Sequence, residues 1–394
     1  MRTLRRPAAL AAVLTLTAGL VAALPASAAD RSPSWHHPSS GERYVALGDS
    51  FVAGPGIPTQ QPGGCARSDH NFPSLVAAEI GAKSFTDASC SAARTTHYWN
   101  PQTIGGETVP PQLDALNRKT TLVTLGTMGG NDVGLVGLAQ TCLVQGCSTL
   151  PTQPFHDAID ALAPVYERLI ADVRERSPRA TIVAVGYGTY VPRETCAALV
   201  NATSADLAYL QSMIDRLSDT IGEVAADEGV AFVDMRDIEG WQEHSGCAAP
   251  EEQWVRALNP YGDGAPLHPS TAGMEQMADQ ALKVIEPLVR ARRASAWRVA
   301  AAAHTVRLHA VCHGPSRRSD VTLRVTGGKG LATAALFHIG DTTVGADTRA
   351  PFALTRSARS LRDLRGSVHA KVTLKHGTVS HTTSVRTSRP KCLR

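Results

Sequence analysis

The sequence lacks a long apolar run anywhere beyond its first 28 residues. A helix that crosses a bilayer needs about 20 consecutive apolar residues, so we expect no transmembrane span in the mature chain. Aromatic residues are also few, at 5% of the chain, whereas nucleic-acid-binding surfaces use aromatic rings for stacking. We therefore expect no nucleic-acid partner.

Several common binding motifs are missing as well. The chain has no G-x-x-x-x-G-K-[ST] loop and no G-x-G-x-x-G fingerprint, which are the usual signs of nucleotide binding. It has no C-x-x-C pair, and His36, His37 and His244 have no partner at metal-ligand spacing. We therefore predict no metal and no cofactor.

The eight cysteines instead suit disulfide bonds. Their even number fits an exported protein that folds under oxidising conditions. Sequence alone leaves the pairing open, but neighbours along the chain suggest four pairs: Cys65–Cys90, Cys142–Cys147, Cys196–Cys247 and Cys312–Cys392.

The first 28 residues have the organisation of a signal peptide. Arg2, Arg5 and Arg6 precede the apolar stretch PAALAAVLTLTAGLVAAL, and Ala-Ser-Ala at 26–28 offers small residues for cleavage. The alternative is a membrane anchor, which is disfavoured because the stretch is rich in Ala and Gly and barely long enough. We predict a secreted, extracellular protein that is cleaved near Ala28.

Charge divides the remaining chain into two parts. Residues 300–394 contain 16 Lys or Arg against 4 Asp or Glu, whereas residues 29–299 contain 20 against 31. The opposite signs indicate two modules, which we place at 41–293 and 300–394. We expect the basic module to contact an anionic surface, the alternative being that it packs on the acidic module. We expect the protein to be a monomer.

The first module has the pattern of an α/β fold. Short, nearly continuous apolar runs alternate with helical periodicity, which is typical of a parallel sheet covered by helices on both faces. The predicted strands are RYVAL (43–47), TLVTLG (121–126), TIVAVG (181–186) and VAFVD (230–234), and the predicted helices are 155–177, 204–229 and 271–292.

The second module changes to a period of two. In HTVRLHAVC and SVHAKVTL, apolar and polar residues alternate, as in half-buried antiparallel strands. Turn signals at TGGKG, IGDT and KHGT separate the strands. We predict a small C-terminal β-sandwich.

Three polar residues that are far apart in sequence each follow a predicted strand or precede a helix. Ser50 ends the stretch YVALGDS, Asn131 follows TLVTLGTMGG, and His268 lies in APLHPSTAG before the last helix. Side chains at the carboxyl edges of parallel strands share one crevice. The G-x-S-x-G elbow of α/β-hydrolases is absent around Ser50. Each motif alone also fits an ordinary turn.

Together the motifs resemble those of the SGNH (GDSL-type) hydrolases. YVALGDSFVAGPGIP, DASCSAARTT, VPPQLDAL, LVTLGTMGGNDVG and PLHPSTAG look like stretches of secreted actinobacterial lipases and esterases. The resemblance covers about residues 43–290. It implies a three-layer α/β/α fold and hydrolysis of carboxylic esters, with Ser50 as nucleophile and His268 as general base. It also implies an oxyanion hole formed by Asn131 and the backbone N–H groups of Ser50 and Ala92.

Two positions depart from the family pattern. Ala92 occupies the place of a glycine whose N–H is an oxyanion donor, and Ala265 replaces the aspartate three residues before the catalytic histidine. We therefore predict a Ser–His dyad in which the backbone carbonyl of Ala265 orients the imidazole, with Asp263 as the alternative. Asp49 and Asp132 are predicted to cap turns and helices rather than to act as acids.

The predicted function is hydrolysis of ester or lipid substrates through an acyl-enzyme. Two alternatives remain open from the sequence. One is an esterase that removes acetyl groups from a polysaccharide. The other is a surface-binding protein whose catalytic site has decayed. Within residues 320–355 the basic module also resembles bacterial immunoglobulin-like repeats, GADTRAPFAL being the most telling stretch.

Overall fold

A computed structural model of the chain describes residues 41–314 and 319–394. The predicted signal peptide lies outside the described residues. Strands are β1 Arg43–Leu47, β2 Ser84–Asp87, β3 Gln102–Ile104, β4 Glu107–Val109, β5 Leu122–Leu125, β6 Thr181–Val185, β7 Ala231–Val233, β8 Arg307–Cys312, β9 Asp320–Thr326, β10 Ala332–Ile339, β11 Thr342–Asp347, β12 Ala353–Ser357, β13 Val368–His376 and β14 Val379–Thr387.

The α-helices are α1 Ser50–Ala53, α2 Phe72–Glu79, α3 Leu135–Val144, α4 Gln153–Asp160, α5 Ala163–Arg176, α6 Ser204–Asp227, α7 Thr271–Ala303 and α8 Ala358–Leu361. Short 3₁₀ turns are Thr95–Tyr98, Gln112–Ala115, Ala197–Leu199, Met235–Asp237, Gly328–Gly330 and Lys391–Leu393.

The first module is built on a five-stranded parallel sheet in the order β2-β1-β5-β6-β7. Helices α2 and α7 pack against each other, and α3, α4 and α5 each contact α6. The central strands β1, β5 and β6 are almost wholly buried, as expected for parallel strands covered on both faces. This confirms the predicted three-layer α/β/α class.

Two predicted helices differ in extent from those observed. The segment predicted as one helix over 155–177 is split into α4 and α5, and Pro164 lies in the first turn of α5. Proline is favoured in a first turn because its missing N–H is not needed there. Helix α7 continues to Ala303 instead of ending near 292, so the predicted boundary between the modules falls inside a helix.

The second module contains two antiparallel sheets, β11-β10-β13-β14 and β12-β9-β8. Their inner faces form a separate apolar core that includes Phe337 and Leu374. Val299 and Ala302, near the end of α7, belong to that same core. The predicted C-terminal β-sandwich is thus confirmed, and its likeness to immunoglobulin-like repeats stays a prediction.

Four disulfide bonds join Cys65–Cys90, Cys142–Cys147, Cys196–Cys247 and Cys312–Cys392, the pairs suggested by neighbours along the chain. The last bond ties β8 to the C-terminal turn. In the part of the chain that the structure describes, we find no helix that is both long and apolar enough to span a membrane.

Candidate active site

Ser50 lies at the carboxyl edge of the parallel sheet. It is the first residue of α1 and follows the last residue of β1 after Gly48 and Asp49, and Asp49 caps this short helix by accepting from the N–H of Phe51. A Cβ on Gly126 would lie 2.4 Å from Cγ2 of Val52. Glycine at this strand end therefore lets α1 pack directly against the edge that holds Asn131.

His268 reaches Ser50 from the turn that precedes α7. Its Nε2 lies 2.7 Å from Ser50 Oγ, a hydrogen-bonding distance. The other ring nitrogen, Nδ1, lies 2.8 Å from the carbonyl oxygen of Pro266. With Nδ1–H donating to that carbonyl, Nε2 is left as the acceptor that faces the serine.

The prediction that Ala265 orients the imidazole is therefore wrong by one residue. The carbonyl of Ala265 accepts the backbone N–H of His268 and closes a tight turn. Pro266 at the second position and a φ of +63° at Leu267 fit a type II turn. Because the Ala265 carbonyl is used inside the turn, the imidazole takes the Pro266 carbonyl. Asp263, the predicted alternative, bonds to Thr271 instead.

Burial changes the protonation of two groups at the site. It lowers the pKa of His268, and the hydrogen bond to Pro266 only partly opposes this. Burial also raises the pKa of Asp49 to about 6, although Tyr187, Thr127 and the Phe51 N–H all donate to its carboxylate and favour the ionised form. A neutral imidazole at pH 7 suits a general base.

Three N–H donors in the predicted motifs have no acceptor within residues 41–314 and 319–394. They are the backbone N–H groups of Ser50 and Ala92 and one proton of Asn131 Nδ2, whose other proton goes to the carbonyl of Ala93 at 2.9 Å. Ala92 adopts the left-handed conformation with a φ of +58°. An alanine therefore adopts here a backbone conformation that usually favours glycine, and its N–H stays available as a donor.

The two aspartates beside the motif residues have the supporting contacts that the sequence suggested. Asp49 caps α1, and Asp132 accepts from both the N–H and the hydroxyl of Thr95. Within the described residues, no group of three His, Cys, Asp or Glu side chains could hold a metal ion.

Arg256 is a functional candidate that the sequence did not reveal. Its side chain is 5% exposed, and its guanidinium donates to the backbone and carboxylate of Asp263 and to the Gln253 amide oxygen. Its backbone N–H donates to the carbonyl of His268 at 2.9 Å. Since Asp263 also binds Thr271, Arg256 links both ends of the histidine turn. No local motif marks this arginine in the sequence.

An apolar cavity opens beside the candidate dyad. Its wall includes Asp49, Ser50, Asn131 and Arg256. Most of its lining is aliphatic or aromatic side chains from α1, α3, α6 and the loops after β6 and before α7: Phe51, Leu135, Val136, Ala139, Leu143, Tyr187, Tyr190, Val191, Pro192, Leu199, Leu207, Leu210, Ile214, Val255 and Leu267. Such a lining suits a hydrocarbon chain that leaves water.

Comparisons with known proteins identify a family and several relatives of this chain. The GDSL-like Lipase/Acylhydrolase family matches residues 46–276. Lipase 2 of Streptomyces coelicolor is 33% identical over 294 residues, which cover 71% of this chain and 95% of that protein. Two solved structures, phospholipase A1 from Streptomyces albidoflavus NA297 and an extracellular lipase from Streptomyces rimosus, each have a TM-score of 0.51 and 26% identity. Each comparison covers 62% of this chain and 99% of the other.

Proposed function

Because this chain belongs to the GDSL-like lipase/acylhydrolase family and is a carboxylic ester hydrolase, we propose that it cleaves esters through a Ser50–His268 dyad and an acyl-enzyme. The observation that carries the proposal is the 2.7 Å contact between Ser50 Oγ and His268 Nε2 at the wall of an apolar cavity. A decayed binding protein would have no need to keep this contact.

In the first half of the reaction, Ser50 Oγ attacks the ester carbonyl carbon while His268 Nε2 takes the hydroxyl proton. Negative charge develops on the carbonyl oxygen, which the N–H groups of Ser50, Ala92 and Asn131 stabilise. The imidazolium, held through Nδ1–H by the carbonyl of Pro266, then gives its proton to the leaving alkoxide. The alcohol departs and the acyl group stays on Ser50.

The second half repeats these roles with water. His268 Nε2 accepts a proton from the water that attacks the acyl carbonyl, and the same donors stabilise the second tetrahedral intermediate. The proton then passes to Ser50 Oγ as the bond to the acyl carbon breaks. A carboxylic acid leaves and the free enzyme is restored.

The cavity favours long acyl chains over acetyl groups. A lining made mostly of apolar side chains gains little from a two-carbon acyl group and more from each further methylene that it removes from water. The names of the related lipases and phospholipase point the same way. Turnover of nitrophenyl esters of increasing chain length tests this: a maximum at eight carbons or more supports a lipase, and turnover of acetyl esters alone supports the polysaccharide deacetylase.

We also propose that the protein is secreted. Four disulfide bonds fit an oxidising compartment, and one solved relative is an extracellular lipase. Mass spectrometry of the protein recovered from culture medium tests the proposal, with a mature N-terminus at residue 29 as the expected result.

The nucleophile is tested by substitution and by covalent labelling. Ser50→Ala should abolish ester turnover and block labelling by a fluorophosphonate, which modifies activated serines. Ser360→Ala is the matched control, because Ser360 lies in α8 of the β-sandwich and bonds only to local backbone. Labelling that persists in Ser50→Ala would refute Ser50 as the nucleophile.

A further inference from the structure

Five large apolar side chains are exposed on segments that line or adjoin the apolar cavity, and we call them the apolar rim. They are Val136, Val144, Val200, Leu258 and Tyr261, with exposed fractions between 37% and 52%. Single exposed apolar residues are normal on a protein surface, but a group of them beside a cavity marks an interaction site. The grouping of the rim residues therefore indicates an interaction site.

Of the first three rim residues, one lines the cavity and two directly follow lining residues in the chain. Val136 itself lines the cavity, and Val144 directly follows the lining residue Leu143 at the end of α3. Val200 follows another lining residue, and its neighbour Asn201 donates through its backbone to Leu143 and through its side chain to Val144. The end of α3 and the segment around 200 therefore form one continuous surface.

The other two rim residues belong to the segment before the histidine turn. Leu258 follows Ala257, which is buried in one cluster with Leu143. The guanidinium of Arg256, a cavity-lining residue, lies 5.7 Å from the ring centre of Tyr261. An exposed tyrosine combines an apolar ring with a polar hydroxyl, which suits the boundary between lipid and water.

The three segments that carry the rim contain no charged residue. Residues 133–155, 195–205 and 257–262 have no Asp, Glu, Lys or Arg, in a chain where these four types make up 19% of residues. These segments offer no cation to attract an anionic headgroup and no carboxylate to repel it. Segments without charge are best matched to a lipid surface that is uncharged or zwitterionic.

We propose that the apolar rim docks the enzyme on the surface of a neutral or zwitterionic lipid aggregate, with the cavity facing the lipid. A lipid surface presents acyl chains to the cavity that the rim borders, whereas a protein seated on the rim would cover that cavity. What enters the cavity rests on the proposed function, but the docking itself does not require Ser50.

Docking is tested with the inactive full-length Ser50→Ala protein and phosphatidylcholine vesicles. We expect this protein to sediment with the vesicles equally at low and high ionic strength. Adding Val144→Ser and Val200→Ser should weaken partitioning about tenfold or more, because two apolar side chains no longer leave water. Val311→Ser is the matched control, because Val311 on β8 is 53% exposed and the two rim valines are each 52% exposed.

A second measurement uses the active enzyme. The Val144→Ser/Val200→Ser variant should hydrolyse a soluble short-chain nitrophenyl ester at the wild-type kcat/KM, and it should lose about tenfold against a long-chain ester carried in phosphatidylcholine vesicles. Unchanged turnover of the soluble ester also shows that the variant folds. Failure of the wild type on soluble esters would refute the proposed function, whereas vesicle binding by Ser50→Ala would still support docking.

Three results would overturn the docking proposal. The first is an absence of binding by Ser50→Ala, and the second is equal binding by the rim variant and the Val311→Ser control. The third is a dimer in solution that only the rim substitutions dissociate, since a second copy of the chain would then be the occupant of the rim.

Discussion

At the scale of single residues, Asn131 has its amide fixed in one orientation. One proton of Nδ2 is donated to the carbonyl of Ala93, which leaves the other for the oxyanion hole that we propose. Asn131→Ala should therefore lower kcat by roughly 10²- to 10³-fold, about 2.7–4 kcal/mol, with little change in KM. Steady-state kinetics on a soluble ester measure this.

Asn100→Ala provides the control for that experiment. Its amide bonds only to Thr96 on a surface 3₁₀ turn, so its loss should leave kcat unchanged. A kcat for Asn131→Ala within about threefold of wild type would argue against any role in the oxyanion hole, because a lost donor costs far more.

Arg256 should act as a positioning residue for His268. Arg256→Lys keeps the positive charge but loses the planar fork that holds Asp263 and the Gln253 oxygen together. We expect kcat to fall about tenfold or more, because small displacements of a catalytic group are costly, while KM for a soluble ester stays near wild type.

The readout separates positioning from stability. Kinetics are measured well below the melting temperature, and thermal unfolding is followed in parallel. Arg179→Lys is the control, since Arg179 also donates to a backbone carbonyl but lies exposed and remote from the dyad. A lower melting temperature with unchanged kcat would mean that Arg256 only stabilises the fold.

The pH profile follows from two buried groups. Nε2 of His268 must be neutral to accept a proton, and burial lowers its pKa, so kcat/KM should stay flat through pH 7 and fall only below the usual imidazole pKa of about 6.5. Asp49, with a pKa of about 6, loses its ionised form in the same direction. We therefore expect kcat/KM to fall at acidic pH more steeply than the titration of a single group would give.

Asp49→Asn tests the second group. This variant cannot titrate at position 49, so its acidic limb should have the slope of a single proton, even if its activity is lower throughout. A wild-type limb centred above pH 7 would contradict the lowered pKa of His268.

The sequence allowed us to predict the side chains that we propose to react, but not the groups that orient them. Ser50, Asn131 and His268 stand in recognisable motifs, and the structure brings Ser50 and His268 into contact. The orienting carbonyl depended on which peptide group a turn leaves free, a property of φ at Leu267 rather than of residue type. The importance of Arg256 depends on its burial and on partners that no spacing rule identifies.

At the scale of elements, two disulfide bonds with very different spans border the cavity. Cys142–Cys147 joins residues five apart and Cys196–Cys247 joins residues 51 apart. Both pairs border segments that line the cavity. In the chain-entropy account, cross-linking a longer loop constrains the unfolded state more, giving about 2 and about 4 kcal/mol respectively.

Replacing each pair by serines in separate variants should therefore lower the melting temperature more for Cys196–Cys247 than for Cys142–Cys147. Thermal unfolding under oxidising conditions measures the difference, and wild type treated with a reductant should match or exceed the larger loss. The reverse order would show that native-state packing around the short loop outweighs chain entropy.

Buried central strands were easier to predict than edge strands or the ends of helices. Strands β1, β5 and β6 lie almost wholly in the core and read as continuous apolar runs. Strand β2 was missed because it is an edge strand whose residues SFTD alternate between exposed and half-buried. We underestimated the length of α7. Its last turns pack on the core of the second module, so the apolar pattern of the first module does not extend over them.

At the scale of the whole molecule, the charge asymmetry predicts a second, salt-dependent mode of surface binding. On the four-stranded sheet, Lys371, Lys375 and Arg386 are exposed. Full-length Ser50→Ala should bind vesicles that contain phosphatidylglycerol more tightly than phosphatidylcholine alone at low salt. Lys371→Ser with Arg386→Ser should reduce that excess by about 1 kcal/mol per charge.

Lys119→Ser serves as the control, because Lys119 is exposed on the acidic module. The two sheet substitutions should leave the salt-independent binding to phosphatidylcholine untouched. If phosphatidylglycerol adds no affinity at low salt, the basic module has no role in adhesion to anionic lipid.

Helix α7 begins one residue after Ser270, which caps it beside the histidine turn, and ends among the core residues of the sandwich. At about 1.5 Å per residue, its 33 residues span about 50 Å without an intervening linker. Protein engineers who wish to exchange the C-terminal module should therefore keep α7 unbroken and match its last turn to the incoming module, because Val299 and Ala302 pack in the core of the sandwich. A graft made at the charge boundary would cut α7, the helix that begins beside the turn of His268, our proposed general base.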